Sequence, residues 1–197
     1  MDRIKLKNKA KKAISDKIFV LFAISLVATA VVAVLTWVTL GLAGVLLAGG
    51  LMLSMAVIYL GMVNKNRMPQ INDLMYGFRG ETYTNGLVGY LRYAIFTALW
   101  SMLFVIPGIV KSISYSMMFY IMADHPKMDP GEAQRKSMEM TDGHKMDIFV
   151  LQLSFIPWYL LCAVTFGLAT IYVAPYVSAT MALYYEELKP KEKKAKK

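Results

Sequence analysis

Long apolar stretches alternate with short polar ones along this chain, and the apolar stretches come in pairs. Ile18 to Leu40 is an unbroken run of 23 residues, and Leu42 to Val63 follows almost at once. A run of that length exceeds a signal-peptide core and suffices for a tilted membrane span. The pair predicts a hairpin over 18–63 with Gly41 near its turn. Tyr93 to Ala123 is too long for one ordinary span and is interrupted by Pro107-Gly108. Proline removes a helix donor and glycine permits a turn, so a second hairpin is predicted over 93–123. Each arm has only about 14 to 15 apolar residues, roughly 21 to 23 Å of helix against a ~30 Å hydrocarbon core. The arms are therefore either short spans or a re-entrant pair. Ile148 to Tyr185, with Phe166-Gly167 in its middle, predicts a third hairpin over 148–186. Pro157 and Pro175 are expected to kink its helices, with neighbours re-satisfying the freed carbonyls.

The polar stretches carry helical patterns of their own. In 1–17, Leu6, Ala10, Ala13 and Ile14, continued by Ile18, fall along one face with lysines around it. In 64–92, Ile71, Leu74, Met75 and Phe78 recur at helical spacing, as in a helix lying on a membrane surface. In 124–147, Asp129-Pro130-Gly131-Glu132 supplies an N-cap acceptor, a first-turn proline and an acid at the third helical position, and Gly143 can end the helix. Residues 187–197 form a basic tail. The expected fold is all-α, a polytopic transmembrane helical bundle of about six membrane segments in three hairpins. Short amphipathic helices on the cytoplasmic side complete a single membrane domain over 1–197.

Charge fixes the expected orientation. Twenty-one of the 22 Lys and Arg residues lie in the two ends and the two internal polar stretches. Cytoplasmic loops retain basic residues. Both termini and both connectors are therefore expected inside, with anionic inner-leaflet lipid as a partner. A hydrophobic share of 57%, 18% charged residues and mean hydropathy of +0.45 leave no room for a soluble domain beside the bundle. The net charge of +9 does not point to nucleic acid, because the basic tails lack the interleaved aromatics such binding uses. Cys162, the single cysteine, lies in an apolar run as an inert thiol.

Several side chains offer chemistry. Lys111 is the one ionisable residue, tyrosines apart, between Arg92 and Asp124, and charge within a membrane is by default a functional-site hypothesis. It could hold an anionic substrate or headgroup in a cavity; alternatively it snorkels to water or phosphate. His125 and His144, with Asp124, Asp142 and Asp147, make a metal-ligand inventory whose spacing fits no metal template. Solvated or interfacial roles suit them better. Tyr115, Tyr120, Tyr172, Tyr176, Trp100 and Trp158 suit interface anchoring or packing better than a substrate path. Gly41, Gly44, Ala48, Gly49 and Gly50 suit close helix contact within the bundle, with dimerisation as the alternative. Val38 to Ala43 reappears as Val164 to Ala169 (Val-Thr-Leu-Gly-Leu-Ala against Val-Thr-Phe-Gly-Leu-Ala), which is either a repeat or a chance match in an apolar alphabet. No hydrolase, Walker or redox motif is present.

The run Leu99-Trp100-Ser101, Ile106-Pro107-Gly108-Ile109-Val110-Lys111, Tyr115-Ser116-Met117, Phe119-Tyr120 and Ala123-Asp124 resembles the central signature of the DUF975 integral membrane proteins of Gram-positive bacteria. Glu132-Ala133, Ser137, Met140, Gly143-His144-Lys145, Trp158, Pro175-Tyr176 and Tyr185 continue the resemblance in order, whereas Pro157 stands where the family favours glycine. The resemblance implies a bacterial multi-pass membrane protein without an assigned activity. The expectation is a non-catalytic plasma-membrane protein, an accessory or scaffold engaging a membrane partner protein or anionic lipid, with no cofactor or metal. The alternative is a small transporter or lipid-handling protein using a cavity near Lys111. Lys111, His144, Lys145, Pro107, Gly108, Tyr115 and Asp124 are the expected functional or lipid-contact residues.

Overall fold

A computed structural model describes residues 3–15, 17–38, 42–65, 67–103 and 105–189, and among them it is helical without strands. The helices are α1 (Arg3–Ile14), α2 (Ile18–Val38), α3 (Leu42–Lys65), α4 (Gly80–Leu103), α5 (Val105–Tyr115), α6 (Met118–Asp124), α7 (Pro130–Thr141), α8 (Lys145–Leu153), α9 (Ile156–Val164) and α10 (Thr170–Leu188), with a 3-10 helix at Ile71–Phe78. Among the described residues, three segments are long and apolar enough to cross a membrane: Gly44–Asn64, Ile106–Asp124 and Lys145–Val164. A fourth is added if α1 and the first part of α2, bent by 83°, count as one broken span. The turn expected at Gly41 and the lysines beyond Lys189 lie outside the described residues.

Helix α3 is the centre of the bundle, touching α1, α2, α4, α6, α10 and the 3-10 helix. Gly49 and Gly50 make the close contacts expected of them. A Cβ on Gly49 would lie 2.7 Å from the backbone nitrogen of Leu87, and one on Gly77 would lie 2.7 Å from the carbonyl carbon of Gly50. Such an approach is open only to residues without side chains. At the second contact the Ser54 hydroxyl donates to Leu74 O at 2.7 Å and accepts from Gly77 N at 2.9 Å, which pins the 3-10 helix to α3.

Helices α4 and α5–α6 form an antiparallel pair. Ser101 meets Gly108, Tyr93 meets Tyr115 and Phe119 edge-on at 6.4 and 6.3 Å, and Asn85 donates to Pro126 O. Helix α4 ends at Leu103 and α5 begins at Val105, so the expected turn residues Pro107-Gly108 lie within α5. Both residues sit in the first turn of α5, where a proline removes no intrahelical bond because those N–H groups have no partner within the helix. Gly108 serves the crossing instead, since a Cβ there would lie 2.8 Å from Ser101 Cα. The first arm is also longer than predicted: α4 begins at Gly80, well before Tyr93.

The third pair turns where expected, with Phe166 at φ 50° and Gly167 at φ 89°. Upstream of Pro157 the helix breaks into α8 and α9, while α10 continues through Pro175. Helix α7 starts as its sequence dictates, with Asp129 Oδ2 accepting from Gly131 N at 2.7 Å and Glu132 N at 3.2 Å. Gly143 follows it at φ 76°.

The buried apolar residues form one core. Leu6, Ala10 and Ile14 of α1, the second half of α3, Met117 to Met122, Ile148 to Phe155 and the body of α10 supply the core. The C-terminal ends of α3, α6 and α10 come together there: Asn64 donates to Glu186 at 2.7 Å, and Tyr185 donates to Asp124 at 2.8 Å. Large apolar side chains stand bare at the α4–α5 and α9–α10 turns, among them Met102, Ile106, Val164 and Phe166, and also near the other end, among them Ile4, Phe19 and Met146.

Candidate functional site

The expected site residues fall in separate places. Lys111 is half-buried on α5 with its Nζ 5.0 Å from the Trp100 ring centroid, a cation–π contact across the α4–α5 crossing. Tyr115 is buried and bonded to the Gln134 side chain, whose Oε1 also accepts from Arg92 Nε at 3.1 Å. This ties α4, α5 and α7 together. Asp124 accepts from Tyr185 and forms an ion pair with Lys189. His144 is exposed with Nδ1 3.7 Å from Asp147, and Lys145 pairs with Asp142 at 3.2 Å. Each of these polar residues thus has a partner within its own locality. No group of three or more His, Cys, Asp or Glu residues suited to a metal ion occurs among the described residues.

Two features were not anticipated. The first joins α1 to the broken third pair. Lys7 Nζ donates to Ser154 O at 3.1 Å and lies 4.2 Å from the Phe155 ring centroid, while Lys11 Nζ lies 5.5 and 5.6 Å from those of Trp158 and Tyr176. The geometry follows from the break. Trp158 N donates to Phe155 O rather than to Ser154 O, so the Ser154 carbonyl is left for another donor. Burial, then the charges of Lys11 and Arg3, lower the pKa of Lys7 from its ordinary value. The sequence pointed to the amphipathic stripe but not to what it would cover.

The second feature is a groove of about 1340 Å³ between α2, α3, α6 and α10. Ser25, Tyr59, Tyr120 and Ser178 gather in it: the Tyr59 hydroxyl bonds the Ser25 and Ser178 side chains, and the Tyr120 hydroxyl reaches Ser178 O at 3.5 Å. Val32, Ala33, Leu51 and Met52 continue the wall along α2 and α3. Lys111 does not line it, so the large cavity is not where the isolated charge suggested.

Residues 102–192 match the family model DUF975, described as a protein of unknown function. The match takes in α5 through α10, and with them Lys111, Tyr115, Asp124, His144 and Lys145. No curated protein and no solved structure matches the chain. Among the described residues the chain is all-helical, with apolar helices able to cross a membrane, consistent with the membrane placement its sequence predicts.

Proposed function

We propose that this DUF975 protein is a non-catalytic multi-pass protein of the plasma membrane. It has six membrane segments, α2, α3, α4, α5–α6, α8–α9 and α10, and both termini in the cytoplasm. It acts as an accessory or scaffold that engages a membrane partner protein or anionic lipid. The bare apolar side chains at the α4–α5 and α9–α10 turns carry this reading. Met102, Ile106 and Phe166 there suit the outer membrane interface, between hydrocarbon and water. The opposite end, where α1, α7 and the 3-10 helix pack around the ends of α3, α6 and α10, presents the charged face. Arg135 and Glu139 stand exposed on α7, and lysines line the outside of α1.

Crosslinking in native membranes, followed by mild purification and mass spectrometry, tests this reading. A stoichiometric partner protein or enriched anionic lipid, lost when 124–147 is scrambled, supports it. A protein recovered without either one counts against it.

A second reading, lipid handling, is favoured by the groove. It replaces the Lys111 cavity expected from sequence and requires no charged path through the bundle.

A further inference from the structure

The groove between α2, α3, α6 and α10 has a polarity gradient that specifies its occupant. Ser25 on α2 meets Tyr59 on α3, and seven to eight residues further along α2, about 10–12 Å of helix, Val32 and Ala33 stand beside Leu51 and Met52. Hydroxyl groups therefore mark one region and hydrocarbon the other. Thr29 and Ser116 add hydroxyls between them, and Met55 and Phe119 complete the wall.

Among the described residues, no side chain lining the groove is an acid, a base or an amide. An ionised headgroup placed there would lose its hydration without gaining a countercharge, which costs several kcal/mol or more. A hydroxyl or ester carbonyl would instead find alcohol and phenol partners. The volume of about 1340 Å³ exceeds the ~300–1,000 Å³ of common small-molecule sites, so a long hydrocarbon body fits. Methionine walls at Met52 and Met55 adapt to chains of varied shape.

We propose that this groove binds one uncharged lipid of the diacylglycerol type. Its hydroxyl and ester end sits at Ser25, Tyr59, Tyr120 and Ser178, and its chains run along Val32, Ala33, Leu51 and Met52. The site rests on the lipid-handling reading and is independent of the accessory reading, whose partner and anionic lipid lie at the charged face.

The test is native mass spectrometry of the full chain, delipidated in detergent and titrated with dioleoylglycerol or, separately, dioleoyl phosphatidylglycerol. One dioleoylglycerol per protein is expected, with at least tenfold weaker binding after Ala33→Trp, a substitution at an exposed position on the groove wall. The phenol-deleting pair Tyr59→Phe and Tyr120→Phe is expected to reduce the preference for dioleoylglycerol over its fully apolar analogue without emptying the groove. Phosphatidylglycerol adducts should be unchanged by Ala33→Trp. Equal binding by wild type and Ala33→Trp at unchanged helix content and melting temperature overturns the site. So does phosphatidylglycerol displacing dioleoylglycerol from it, or a crosslink from Ala33→Cys to a second copy or partner helix in place of lipid.

Discussion

The Lys7 ammonium donates to the Ser154 carbonyl at 3.1 Å, joining the first described helix to the break in the third helical pair. The bond occupies an acceptor that the α8–α9 break sets free, and the Phe155 ring stacks beneath the same ammonium. Replacing Lys7 by Ala should lower stability by about 1.5–3 kcal/mol, the net value of a hydrogen bond to a charged group. Lys7→Arg should keep most of it. Thermal unfolding in detergent reads the difference, and equal melting temperatures for the Ala variant and wild type would remove α1 from the account of the break.

Gly108 tests the α4–α5 crossing. A Cβ there meets Ser101 backbone, which cannot swing aside as a long side chain could. Gly108→Ala should destabilise by about 1–3 kcal/mol, as overpacking does. Gly61, also helical, has no atom within 4 Å of the same added carbon. Gly61→Ala should therefore stabilise by roughly 0.5–1 kcal/mol. Matching losses at both positions would show that helix propensity in the bilayer, and not the crossing, governs them.

Ser54 serves two backbone groups at once, as donor to Leu74 O and acceptor from Gly77 N. Ser54→Ala leaves both buried and should cost about 1–3 kcal/mol for each group left unsatisfied. Hydrogen exchange localises the effect. Faster exchange confined to 71–78 is expected, and uniform loosening of α3 would contradict this role.

Much of this was legible in the residues. Asp129, Pro130 and Gly143 encode α7 through local capping chemistry, which no distant contact overrides. Leu6, Ala10 and Ile14 announce a buried stripe by their spacing. Pro107 misled because a proline breaks a helix interior but is tolerated in a first turn, and the sequence does not say which it occupies. The polar residues from Gly80 to Arg92 suggest a connector, because hydropathy scores side-chain polarity, whereas α4 takes them in through contacts with Gly49 and Gln134. The groove was beyond reach of spacing. Its polar cluster combines Ser25, Tyr59, Tyr120 and Ser178 from four helices, and only packing brings them together.

The central claim is that connectors and hairpin tips lie on opposite sides of a membrane. Single cysteines at Met102, Phe166, Lys127 and Asp142, introduced into a Cys162→Ser background, can be probed in intact cells with an impermeant maleimide. Met102 and Phe166 stand at the α4–α5 and α9–α10 turns, which the proposed topology brings to the outer headgroup region within reach of water. The account predicts labelling at 102 and 166 from outside, and at 127 and 142 only after permeabilisation. External labelling at 127 or 142, or protection of both tips until permeabilisation, would contradict it.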